Sequence, residues 1–142
     1  MKLWISLMMI LIVFSSCKQV PVHHYAWKPY SQKAVEEAVA HKRPVVIDFF
    51  AEWCPICHDL DRALFSRPDV QAKLDKVTAL RVDATNQEDP NVAAVAQQYQ
   101  VDGLPTIIFL DSRGKEIPHS RLEGFATPSD FAQAYAMANI LQ

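Results

Sequence analysis

The 142-residue chain has only three cysteines, too few for a fold stapled by disulfides. It lacks an excess of either charge: 14 Lys and Arg stand against 16 Asp and Glu, a formal net charge of -2. That balance leaves no electrostatic footprint for nucleic acid. Internal repeats and low-complexity tracts are absent. With 50% of its residues apolar the chain is too hydrophobic to be disordered. Even without the apolar N-terminus, enough remains for the core of one domain.

That N-terminus is the one long apolar run. Residues 3–14 carry eleven apolar side chains in twelve positions. A helix of that length spans about 18 Å, well short of the roughly 30 Å of a hydrocarbon core. With Lys2 before it, the run reads as a secretory signal over 1–16; an uncleaved anchor is the alternative. Phe14-Ser15-Ser16-Cys17 resembles the lipobox of bacterial lipoproteins, with Phe14 where Leu is usual. The resemblance implies cleavage before Cys17, a lipidated Cys17, and attachment to the cell envelope facing the periplasm. Lys18, in place of an Asp, implies the outer membrane rather than the inner where a cell has both. Residues 18–30 hold two prolines and no clear period, so 17–30 is expected to be lipidated cysteine plus tether. His23 and His24 read as solvated linker. The folded domain is expected over 31–142.

In that domain strand and helix patterns alternate. Ser31 can cap a helix with Ala34, Val35, Ala38 and Val39 on one face. Residues 45–50 (VVIDFF) form a run suited to a strand buried on both faces. A helix is expected from Cys54 to about Phe65, a short one over 69–76, a strand over 77–82, a helix over 91–99 and a strand over 106–110. A turn at 111–114 should lead into an edge strand near 115–121. Thr127 caps a last helix, with Pro128 at its first position and Asp130 near its positive end. The alternation predicts an α/β domain, a sheet with helices on both faces.

The chemistry lies at Cys54-Pro55-Ile56-Cys57. Two cysteines three apart at a strand-to-helix junction can close a small disulfide ring. Cys54, at the helix N-terminus, gains a stabilised thiolate, and Cys57 can resolve a mixed disulfide. A structural zinc site would need two more ligands, and no second CxxC exists. The string Cys54 to His58 also spells CxxCH, a haem-attachment pattern. Met137 and His119 are the available axial ligands, and the apolar strand just before the motif fits haem poorly.

Residues 46–57 (VIDFFAEWCPIC) resemble the active-site segment of thioredoxins, and Gly103-Leu104-Pro105-Thr106 resembles their cis-proline loop. Leu64-Phe65-Ser66, Asp69-Val70, Asp83-Ala84-Thr85 and Gly124-Phe125 resemble the C-terminal thioredoxin-like domain of the DsbD family. The resemblance covers 31–140. It implies a thioredoxin fold, a central mixed sheet with helices on both faces. It also implies a dithiol–disulfide oxidoreductase that reduces, or relays electrons to, protein disulfides, with no cofactor beyond the cysteine pair. Its partners would be envelope protein thiols and disulfides and an upstream electron donor, and the chain is expected to be a monomer. Cys54 would be the attacking thiolate and Cys57 the resolving thiol. Asp48 would be a buried acid that exchanges the Cys57 proton, and Asp61 an acid opposing thiolate formation. Trp53, Pro55, Ile56, Leu104 and Pro105 would contact substrate, while Glu52 and His58 stay on the rim. Asp48, Glu52 and Asp61 lie near Cys54 with no Lys or Arg between Arg43 and Arg62, which points to a reductant. An oxidase or isomerase of the same fold is the alternative, and a haem- or metal-binding module is the alternative of another class.

Overall fold

Side chains alternate across strand Val45–Phe50, and that alternation sets the layers of the molecule. The computed structural model describes residues 23–140; the signal over 1–16 and the lipidation at Cys17 lie outside the described residues. In chain order the elements are β1 (Lys28–Pro29), α1 (Gln32–Ala40), β2 (Val45–Phe50) and α2 (Pro55–Leu60). A π-helical turn (Asp61–Phe65) continues α2, followed by α3 (Pro68–Leu74), β3 (Thr78–Asp83) and α4 (Pro90–Gln98). Strands β4 (Thr106–Leu110) and β5 (Leu122–Glu123) and helix α5 (Pro128–Ile140) complete the fold.

The described strands form one mixed sheet in the order β1-β3-β2-β4-β5. β2 is central, parallel to β3 and antiparallel to β4. On one face Val46, Ala79, Ile107 and Phe109 pack against Leu60, Leu64, Phe65, Leu74 and Phe131 from α2, the π turn, α3 and α5. On the other, Val45, Ile47, Phe49, Leu80 and Ile108 meet Val35 and Ala38 of α1 and Tyr99 at the end of α4. Asp48 and Phe50, in phase with Val46, therefore belong to the face under α2. Caps hold the helix starts. Ser31 accepts the Ala34 N–H, and Thr127 and Asp130 cap each other's backbone. Among the described residues no helix is long and apolar enough to cross a membrane.

Two expectations change. Residues 23–30 are not a free tether. Lys28 and Pro29 pair with Leu80 and Arg81, the Tyr25 hydroxyl donates to Asp75, and Gln71 donates to the His23 carbonyl. Trp27 packs edge-on against Tyr25 and Phe65. Pro29 is tolerated because β1 is an edge, and so short an arm has no period to reveal it. The edge strand expected over 115–121 shrinks to one bridge, Leu110 to Glu116, before the chain rejoins the sheet at β5. Pro118 has no N–H to give, and His119, at φ 62°, breaks the extended backbone.

Phe131 is fully buried against Phe65, Phe109 and Tyr135. Phe131→Ala should cost about 3–5 kcal/mol, read as a lower urea midpoint at unchanged slope. Phe125→Ala, at a side chain 55% exposed, should change stability by less than about 0.5 kcal/mol.

Candidate active site

β2 ends at Phe50, and the chain turns through 51–53 into α2. Cys54 is the N-cap, with extended backbone, and Pro55 takes the first helical position. The Cys57 N–H donates to the Cys54 sulfur at 3.2 Å, and the Cys54 carbonyl accepts from Cys57 and His58. The two cysteines are joined as a disulfide, Cα atoms 5.3 Å apart. Both are buried, while Trp53 and Ile56 beside them stand half exposed. The corner is tied to the end of β3. Ala84 donates to the Phe50 carbonyl, the Glu52 N–H to the Thr85 hydroxyl, and the Trp53 indole N–H to the Thr85 carbonyl at 3.0 Å. Asp83 in turn accepts the Thr85 N–H and hydroxyl.

The Leu104–Pro105 bond is cis. Leu104 packs on the cluster of Phe50, Ala51, Cys54 and Cys57, which brings the second expected loop to the first. The Pro105 carbonyl accepts the N–H of Gly124, whose φ of 73° suits glycine. Phe125 follows, and with Trp53 and Ile56 it makes up the exposed large apolar side chains of the described residues. Trp53 and Leu104 also line a cavity of about 280 Å³ with Ala84, Val92, Val101 and Gly103.

Asp48 is 2% exposed. Across the parallel register stands Arg81, whose Nε donates to the Asp48 carboxylate at 2.7 Å. Its two Nη groups donate to Asp61, one turn past Cys57. The guanidinium lies 4.9 Å from the Trp27 ring and 4.4 Å from the Phe50 ring. Burial pushes the Asp48 carboxyl up to about 7; the charge of Arg81 pulls it down and that of Asp61 adds to the rise.

The expectation of three uncompensated carboxylates around Cys54 is corrected here. Two of them share Arg81, which lies outside the sequence window that was free of cations. Glu52 faces outward, and His58 bonds its backbone carbonyl at 2.8 Å while packing edge-on to Phe50. Sequence reasoning missed Arg81 and Trp27 as parts of the site, and marked Thr85 only through the family resemblance. Only Arg81 had a signal of its own, a lone cation inside the apolar strand β3, which demands a buried anion. Among the described residues no cluster of three or more His, Cys, Asp or Glu is placed to hold a metal ion.

An acid whose pKa is raised by folding stabilises the folded state while it is protonated. For Asp48 that stability is complete below the unfolded value near about 4 and is lost as pH rises through about 7. Stability of the oxidised Asp48→Asn variant, relative to the parent, should therefore rise between these values and level off above them. Urea midpoints across pH check this; a flat difference would contradict it.

Residues 31–139 match the family model for the thioredoxin-like domain. The chain is similar to the thiol:disulfide interchange protein DsbD of Pectobacterium atrosepticum, 44% identical over 90 residues, 63% of this chain and 15% of that protein. It is 36% identical to DsbD of Yersinia enterocolitica over 124 residues, 84% of this chain and 21% of that one. It thus spans about a fifth or less of these relatives. The C-terminal domain of Neisseria meningitidis DsbD in the oxidised form shares the fold: TM-score 0.68 at 24% identity, over 80% of this chain and 99% of that domain. With a buried CxxC disulfide at the start of α2 beside a cis-proline loop, the chain belongs to the thioredoxin-like domain family.

Proposed function

We propose that this protein is a lipid-anchored envelope reductant, passing electrons from an upstream dithiol donor to protein disulfides through Cys54 and Cys57. The observation that carries the dithiol–disulfide exchange in this reading is the Cys54–Cys57 disulfide at the start of α2, with the Cys54 sulfur accepting the Cys57 N–H. Likeness to DsbD, whose name states thiol:disulfide interchange, supports it. In the reduced protein the Cys54 thiolate attacks a substrate disulfide. A Cys54–substrate S–S bond forms, the substrate bond breaks, and one substrate sulfur leaves as thiolate. Cys57 gives its proton to the Asp48 carboxylate and attacks Cys54. This releases the second substrate thiolate and closes Cys54–Cys57. Two electrons have passed to the substrate, and the donor dithiol returns them in the reverse exchange.

Trp53, Pro55, Ile56, Leu104 and Pro105 form the contact surface for a partner strand. Asp61 opposes thiolate formation only as far as the Arg81 guanidinium it pairs with leaves its charge unbalanced. The signal over 1–16 and lipidation at Cys17 put the domain at the envelope, at the outer membrane where two membranes exist. The chain acts as a monomer.

Cys57→Ser should accumulate mixed disulfides with partner proteins, because the resolving thiol is gone, while Cys54→Ser should trap few. Equal trapping would reverse the assignment of roles. Membrane fractions should hold the protein with an N-terminal mass showing acylated Cys17, and Cys17→Ser should release it. An unmodified Cys17 in the native protein would remove the anchor from this reading.

A further inference from the structure

Arg81 is one cation with two carboxylates to satisfy, and the division is unequal. Asp61 takes both terminal nitrogens, while Asp48 receives the single Nε–H. The side chains of Arg81 and Asp61 are 17% and 16% exposed, and that of Asp48 only 3%. Aromatic contacts help to hold the guanidinium in this arrangement. Trp27 of the N-terminal arm and Phe50 of β2 each present a ring to it, and Phe50 also packs against Cys54 and Cys57. The charged groups acting on Asp48 are Arg81 from β3 and Asp61 from the π turn. Its neighbour across β4 is the apolar Ile107. On α2, His58 packs against Phe50 and bonds the Glu52 carbonyl, and the disulfide-bonded cysteines carry no proton.

We propose that Arg81 is a positioning residue of the redox centre: by giving Asp61 its forked face and Asp48 one bond, it leaves Asp48 able both to hold and to release a proton. With no cation, so buried a carboxyl would keep its proton throughout the working range. Given the whole guanidinium, it would stay ionised. The divided bond keeps it between these states, as a group that takes the Cys57 proton and returns it must be. The π turn contributes by setting Asp61 within reach of Arg81, and the arm contributes the Trp27 ring against the guanidinium.

This inference rests on the proposed role of Asp48 in proton exchange, and the two are tested by different readouts. The first is the titration of the Asp48 carboxyl in the oxidised protein, followed by carbon NMR, where no cysteine titrates. Arg81→Met should move that titration up by about 1–3 units. Arg81→Lys, a point charge that cannot serve both acids, should leave it between Met and the parent. Asp61→Asn removes the competitor and should move it down, so the question stays decidable if Arg81→Met does not fold. A titration unmoved by Arg81→Lys and Asp61→Asn overturns the inference. The second readout is the pH profile of disulfide reduction by dithiothreitol. Its limb near neutrality should vanish in Asp48→Asn and follow the shifted titration in the other variants. A limb that persists in Asp48→Asn overturns the proton-exchange role of Asp48 and leaves the Arg81 result to stand on the titration alone.

Discussion

A carboxyl on the central strand of a sheet, under a helix, must find either a cation or a proton, because burying it charged and alone costs several kcal/mol. Asp48 is that carboxyl, and the surrounding architecture answers its need. The parallel register of β2 and β3 sets Arg81 directly across from it. A lysine could offer a point charge there, but the five donors of a guanidinium serve Asp48 and Asp61 together. The cation also lies against both Trp27 and Phe50, so one side chain joins the N-terminal arm, strands β2 and β3 and the π turn that continues α2.

The redox pair is held by a different set of bonds. Its corner hangs from Ala84 and Thr85 just past β3, while Leu104 closes over it from the start of β4. The sulfurs therefore sit in an apolar shell of Phe50, Ala51 and Leu104, and water reaches little of either cysteine. Charge near the pair comes from Asp48, Arg81 and Asp61, whereas Trp53 and Ile56, next to the cysteines in the chain, are exposed and apolar. Under the proposed function, this separation would let a partner dock on hydrophobic surface without disturbing the groups that exchange the proton. It also alters the electrostatic picture drawn from sequence neighbours: the acids near Cys54 do not act as a bare negative cluster, because β3 supplies the cation that the local sequence lacks.

The sequence by itself determined whatever depends on neighbours along the chain. Apolar alternation and runs marked β2, β3 and β4, and Ser31 and Thr127 marked the starts of α1 and α5, because caps and strand patterns act over a few residues. Cys54 and Cys57 were legible for the same reason, since a CxxC ring closes within one turn. The tertiary structure alone decided the rest. Nothing in the residues of the arm marks Lys28–Pro29 as a strand, because its pairing partners lie some fifty positions away, at Leu80 and Arg81. Gly124 meets the cis-proline loop through its bond to Pro105, a contact between segments some twenty residues apart. The charge of the site depends on Arg81, 33 residues from Asp48 and 20 from Asp61. Coulomb energy follows distance in space and local burial, neither of which can be read along the chain, so the cation that governs the buried acid became visible only when the strands were paired.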